Sequence, residues 1–378
     1  MKLVKMHLLL AFILPFTLMA QSKATVTIQN NSALNRKESV IAIKWTAVLS
    51  SYPQIDTAHF VVINSVTKKQ VPFQLEHKGK AAIQNLLVQV DVKAKSTLTL
   101  SIQKGKPETI AAKTYARFVP ERLDDFAWEN DKIAFRTYGK ALEKTEGDAY
   151  GYDVWVKRTT KLVLNDRYKR NDYHIDHGDG LDYYHVGYTL GAGNMAPYVK
   201  DTIRYSGNYH QWKVLDNGPL RSTFQLSYDT WNAGGIKVTA VKTISLDAGS
   251  QLNRIENIYT FNDNKPMSVV VGIIRRDKQG VIGLNEQQGI MSYWEPTFDK
   301  EGTTAVATIL STPAEKMWVN KEQLLTQTSV RNNEPIVYYS GAAWDKAGQI
   351  PSSKQWQDYL DHFNQEIQNP LIVSVKQN

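Results

Sequence analysis

The sequence predicts an all-β chain, a small N-terminal β-sandwich followed by a large antiparallel β-sandwich. Three observations carry that prediction. Apolar and polar residues alternate with period two in segment after segment, as one-sided strands require. Turn signals such as Asp216-Asn217-Gly218-Pro219, Ala233-Gly234-Gly235 and Asp247-Ala248-Gly249 separate those segments. One stretch alone shows a convincing helical period.

The segments run in order. Residues 25–28, 39–45, 60–63, 86–92 and 96–102 are β-branched and alternating, spaced like a small sandwich that ends near Gly105-Lys106-Pro107. Residues 126–128 and 133–137 flank Asn130-Asp131, a hairpin turn, and 154–157 reads as a strand. Long alternating segments follow at 222–228, 236–244, 253–261 and 268–274. The helix starts at Pro351-Ser352-Ser353. Trp356, Leu360, Phe363 and Ile367 form its packing stripe, and Pro370 ends it. The large unit is expected to be a supersandwich of the galactose-mutarotase and polysaccharide-lyase type. The expected organisation is 1–20 leader, 21–107 small sandwich and 108–378 large sandwich.

The leader is read from Lys2 and Lys5, an apolar run from Leu8 to Met19, and Ala20 before polar Gln21-Ser22. That pattern is a cleaved secretory signal. The run is shorter than the roughly 20 residues of a membrane span, so stable membrane insertion is not expected. In a Gram-negative cell the mature chain would be periplasmic. The chain has no cysteine, which excludes a lipid-anchored lipoprotein, disulfides and thiol catalysis. Formal net charge is +8, without a basic run or nucleic-acid motif. A nucleic-acid partner is therefore not expected, and the basic balance suits an anionic oligosaccharide.

Candidate chemistry concentrates in residues 173–185, Tyr-His-Ile-Asp-His-Gly-Asp-Gly-Leu-Asp-Tyr-Tyr-His, which hold three of eight histidines. The bland reading is a surface loop with Asp-Gly turns. Sharper readings are proton transfer by His174, His177 and the Tyr183/Tyr184 pair, calcium on Asp176, Asp179 and Asp182, or zinc on His174 and His177 with a third ligand from elsewhere. Lys157 and Arg158, at a strand end, are solvated cations or a carboxylate clamp. Trp128 is either a sugar platform or an ordinary hairpin aromatic. Arg136, Arg275 and Arg276 add cations, and Tyr205, Tyr209 and His210 add groove-type rings. No Walker A, Gly-x-Ser-x-Gly, His-Glu-x-x-His or dinucleotide fingerprint is present.

Three ordered motifs carry a resemblance. They are Asp124-Asp125-Phe126-Ala127-Trp128-Glu129-Asn130-Asp131 with Ala134-Phe135-Arg136 and Tyr138-Gly139, then Asp153-Val154-Trp155-Val156-Lys157-Arg158, then Tyr173 to Gly193. Together they resemble the domain of unknown function 4861 family, common in polysaccharide-utilisation loci of Bacteroidota. The resemblance covers nearly all of the mature chain and extends to an ulvan oligosaccharide dehydratase. It implies elimination of water from a non-reducing-end uronic acid, leaving a 4,5-unsaturated sugar, with no cofactor required. On that reading Lys157, Arg158 or Arg136 neutralises the uronate carboxylate. His174 or His177 is the base and Tyr184 the acid, or these roles are exchanged. His185 stands where the family pattern often has lysine and is read as a positive rim residue. Rival readings are a polysaccharide lyase, a glycoside hydrolase on uronic-acid glycans, and a non-catalytic glycan-binding protein.

Overall fold

The computed structural model describes residues 23–145 and 147–377. The expected leader at 1–20 lies outside them. The small sandwich forms as its alternation predicts. In Ala24–Asn30, Val26 and Ile28 are buried while Thr25 and Thr27 face outward. One sheet has the order Ile372–Gln377, Ala24–Asn30, Ser96–Lys104, Phe60–Asn64. The other has the order Arg36–Lys44, Asn85–Val92, Phe73–Glu76. Val26, Ile28, Ile43, Phe60, Val62, Leu86, Val88 and Leu100 fill the space between them.

The large unit is a supersandwich. An eight-stranded antiparallel sheet forms one layer, in the order Gln211–Asp216, Arg221–Ala233, Ile236–Asp247, Leu252–Phe261, Pro335–Trp344, Thr304–Leu310, Ile290–Trp294, Val281–Asn285. Two smaller sheets share the opposite layer. The five-stranded one has the order Gly180–Asp182, Asp153–Lys157, Ala134–Thr137, Asp125–Asn130, Thr114–Val119. The four-stranded one has the order Ala192–Pro197, Met267–Ile274, Gln323–Val330, Lys316–Val319. Inward residues of all three sheets form one core, among them Phe126, Phe135, Val154, Met195, Val271, Phe224, Ile244, Ile255 and Tyr338. This is the face-to-face packing of period-two strands.

The helix Ser353–Gln368 is capped by Ser352, whose hydroxyl accepts from Gln355 N, and it buries Trp356 and Leu360 on the outer face of the eight-stranded sheet. Two seven-residue helices, Trp45–Ser51 and Leu164–Arg170, were not expected; they are too short for a helical period to stand out. After the long helix the chain returns to the small sandwich, where Ile372–Gln377 pairs with Ala24–Asn30 in antiparallel register. The expected 108–378 unit thus gives its last strand to the first one. Gln74 Oε1 accepts from Leu220 N and Arg221 N, and Arg221 pairs with both Glu76 and Asp247, which joins the two sandwiches. Among the described residues no helix is long and apolar enough to cross a membrane.

Candidate active site at the rim of the large sandwich

All three sequence motifs converge on the five-stranded sheet. Alternation places Asp125, Glu129, Arg136, Asp153, Trp155, Lys157 and Asp182 on its outer face, under the helix Leu164–Arg170 and Tyr173. These are buried ion pairs. Arg136 Nη2 donates to Asp182 at 2.9 Å and lies 2.6 Å from Asp153; its Nη1 lies 3.6 Å from Asp125. Trp155 and Tyr138 offer their ring faces to the same guanidinium at 5.0 and 5.2 Å. Lys157 Nζ sits 2.6 Å from Glu129, whose carboxylate also accepts from Val163 N and Leu164 N at the start of the covering helix. Burial pushes the carboxyl of Asp182 well above the usual carboxylate range, with Asp153 adding to it and Arg136 opposing it. Burial likewise pushes Asp125 to about 6 against Arg136. Burial also lowers Lys157.

Two expected clamps and the expected platform are therefore structural. Lys157 and Arg136 are enclosed and already paired, because a charge in this low-dielectric layer needs its counter-ion. Trp128 lies in the core against Phe135 and Phe224, and its indole donates to Asn253 Oδ1.

The histidine-rich segment is an exposed loop that satisfies itself. The helix stops at Asn171 in the left-handed region. Asp176 accepts from Gly178 N and Gly180 N and pairs with Arg158. Asp179 pairs with Arg170 at 3.2 Å, and His177 Nε2 lies 2.9 Å from Asp172. Gly180 is required: φ is +99°, and a Cβ there would meet Val156 O at 2.1 Å. The three carboxylates expected for calcium thus serve three different arginines, 158, 170 and 136. His174 and His177 take separate partners, so no shared zinc pair forms. Among the described residues no group of three or more histidines and carboxylates is placed to hold a metal ion. His174 turns outward with its side chain 66% exposed, and its Nδ1 bonds Asp182 O at 2.8 Å.

Beyond Asp182 the chain turns to the sandwich rim, where a second set of groups meets. Tyr183 stacks on Phe298 at 5.7 Å and accepts a hydrogen bond from Thr304 at 2.6 Å. Thr304 is the cross-strand partner of Trp344, and Arg158 lies 4.7 Å over the Trp344 ring. On the other side, Arg276 covers the buried Tyr184 ring at 4.5 Å. Its Nε donates to Glu295 at 2.7 Å and its Nη1 to His185 O at 2.6 Å. The His185 ring approaches Phe298 edge-on at 6.3 Å, and Phe298 is 51% exposed. Glu295 is buried, and burial lifts its carboxyl to about 7 even though Arg276 pulls the other way. The result is a continuous row from Arg158 through Trp344, Tyr183, Phe298 and His185 to Arg276 and Glu295.

Of the expected site residues, this row gathers Arg158, Tyr183, Tyr184 and Arg276. Glu295 and Phe298 were not singled out, since a lone glutamate and a lone phenylalanine in a connecting segment carry no spacing signal. The rest lie elsewhere. Tyr209 is buried and donates to Asp124 O, while His210 pairs with Asp229, which also takes Lys140. Tyr205 belongs to a tyrosine cluster with Tyr150 and Tyr188. Arg275 is exposed and donates to Asn320 O.

Known proteins place the chain. "Uncharacterized protein P7" of Formosa agariphila is 37% identical over 280 residues, 69% of this chain and 70% of that protein. A crystal structure of a protein in glycosyl hydrolase family 38 from Enterococcus faecalis superposes with a TM-score of 0.52 at 9% identity, over 94% of this chain and 47% of that one. An α-mannosidase structure from Enterococcus faecalis V583 gives a TM-score of 0.46 at 8% identity, over 94% of this chain and 46% of that one. The chain spans about half the length of these solved structures, and the first likeness shows a shared β-sandwich fold. The family model described as "Domain of unknown function (DUF4861)" matches residues 28–373, and the chain belongs to that family.

Proposed function

We propose that this chain is a carbohydrate-active carbon–oxygen lyase, a dehydratase acting on a non-reducing-end uronic acid of ulvan-type oligosaccharides. The single observation that carries the reading is the meeting of Arg276, Glu295 and His185 beside the exposed Phe298. Elimination across C4–C5 of a uronate needs three things. A cation must take up the negative charge that grows on the carboxylate as C5 loses its proton. A base must accept that proton, and an acid must protonate the departing oxygen.

Arg276 supplies the cation. Its Nε and Nη1 are already held by Glu295 and His185 O, so the guanidinium is oriented before substrate arrives and Nη2 carries neither of those bonds. His185 is the base beside it. It replaces His174 and His177 in that role, because those two are held on the loop by Asp182 O and Asp172. Glu295, lifted to about 7 by burial, carries a proton near neutral pH and is the acid in place of Tyr184. The electrons of the C5–H bond become the C4–C5 double bond. The C4–O bond breaks, and the hydroxyl leaves as water with the proton from Glu295. Phe298 and Tyr183 form an apolar floor for a sugar ring, and Arg158 is a second cation for an anionic chain.

Export to a periplasm, read from residues 1–20, fits a polymer-derived substrate. Mass spectrometry of a saturated uronate-capped oligosaccharide incubated with the protein tests the reading. A product lighter by one water supports it, whereas shortened saturated fragments would point to hydrolysis instead.

A further inference from the structure

The rim continues past His185 into a second surface whose charge is of the opposite kind. Tyr188 lies three residues after His185, within about 10 Å of it along even a fully extended chain. Its side chain is 49% exposed. It belongs to a cluster of three rings, with Tyr205 at 5.0 Å and Tyr150 at 6.1 Å, while Tyr150 and Tyr205 are 5.0 Å apart.

The two rings beneath Tyr188 are held by their hydroxyls. Tyr205 accepts from Gln323 Nε2 at 3.3 Å, and the same buried Gln323 takes Leu190 N on its Oε1 at 2.8 Å. Tyr150 bonds Ser206 Oγ at 3.0 Å. Gln323 follows Glu322, whose carbonyl takes Arg275 N, so the platform and the Arg276 rim share one segment. The carboxylates whose negative charge is felt at the cluster are Asp148 and Glu143 at Tyr188, and Glu322 at Tyr205. Two cations lie nearby, each with partners of its own: Lys242, buried beneath the Tyr150 ring at 5.9 Å and bonded to Asn194 and Met195 O, and Arg275, which donates to Asn320 O.

An exposed tyrosine ring supported by two anchored rings, next to the Arg276 rim, suits the apolar face of a sugar ring. Three carboxylates around it disfavour a sulfated or uronic sugar there, since like charges repel even when partly screened. We propose that the exposed ring of Tyr188, backed by Tyr205 and the buried Tyr150, forms a glycan subsite that takes an uncharged sugar of the same oligosaccharide whose uronate end enters the Arg276 rim. This subsite rests on the lyase reading for its neighbour, but its own binding does not.

The test uses the full chain and Tyr188→Ala, an exposed truncation. With a uronate-capped disaccharide and a uronate-capped tetrasaccharide of otherwise neutral sugars, KM for the tetrasaccharide rises about fivefold in the variant, the scale of one aromatic contact. KM for the disaccharide and both kcat values stay unchanged. Equal losses on both substrates, or no loss on either, overturn the subsite.

Should neither substrate be turned over, the lyase reading fails and calorimetry still decides the subsite. The neutral oligosaccharide without its uronate cap is titrated into both proteins. Saturable binding that weakens in Tyr188→Ala supports the subsite, and no binding to the native protein refutes it. A sulfated version of the same oligosaccharide binds more weakly than the neutral one. Equal or tighter binding of the sulfated form overturns the choice of an uncharged sugar.

Discussion

Arg276 and Glu295 show how much a single pair can do. Arg276 touches a carboxylate, a carbonyl and a phenol ring at once, which only a planar fork with several donors can manage. Arg276→Lys keeps the charge and loses the fork. The expected result is a fall in kcat of about 10²–10³-fold, the scale of one lost charge-stabilising donor, with folding intact by circular dichroism. Glu295 sets a pH limb. Its folded carboxyl is raised to about 7 from the usual 4.5, so the acid is present below about pH 7 and is lost as pH rises through it. Turnover should therefore decline above neutrality, and Glu295→Gln should lower kcat and abolish that limb in a pH–rate profile. Arg276 and Tyr184 stand out in the sequence because they sit in conspicuous cation and tyrosine pairs. Glu295 does not, because what makes it notable is burial against a residue 19 positions away, and sequence spacing says nothing of burial.

At the scale of elements, the five-stranded sheet explains why its motifs read so strongly. Period two was visible, and so was the Asn130 turn, where Oδ1 accepts from Lys132 N and Ile133 N. That the outer face would pair Lys157 with Glu129, and Arg136 with three aspartates, depends on strand order, which alternation alone does not give. Chemistry expected of those residues is instead stability. Lys157→Met leaves Glu129 buried without its cation and should cost about 3–5 kcal/mol in chemical denaturation. Asp182 gives a second handle. Its folded carboxyl is raised by burial, so between the usual carboxylate range and its folded value the native state binds more protons than the unfolded chain. Its contribution is present at low pH and is lost as pH rises toward neutrality and beyond. Asp182→Asn should flatten the fall in melting temperature over that window; an unchanged slope would show that Asp182 does not titrate there.

For the whole molecule, two sandwiches and their order were legible from alternation and turn spacing, and the helix stripe Trp356, Leu360 found its face on the large sheet. The return of Ile372–Gln377 to the first sandwich was not, because a short strand near the end of the chain carries no sign of which sheet it joins. That return links Ala24–Asn30 to Ile372–Gln377 through six register pairs. Removing residues 372–377 exposes the edge of Ala24–Asn30, and the melting temperature should fall by several degrees for a loss of about 1–2 kcal/mol. The fold brings Arg276, Glu295, His185 and Phe298 together at the sandwich rim, and the chemistry proposed for that rim is elimination. Its most direct test is ultraviolet absorbance during incubation with saturated uronate-capped oligosaccharides. Elimination gives a steady rise from a new conjugated double bond, lost in Arg276→Lys. Reducing ends released with no such chromophore, or an equal rise in the variant, would contradict it.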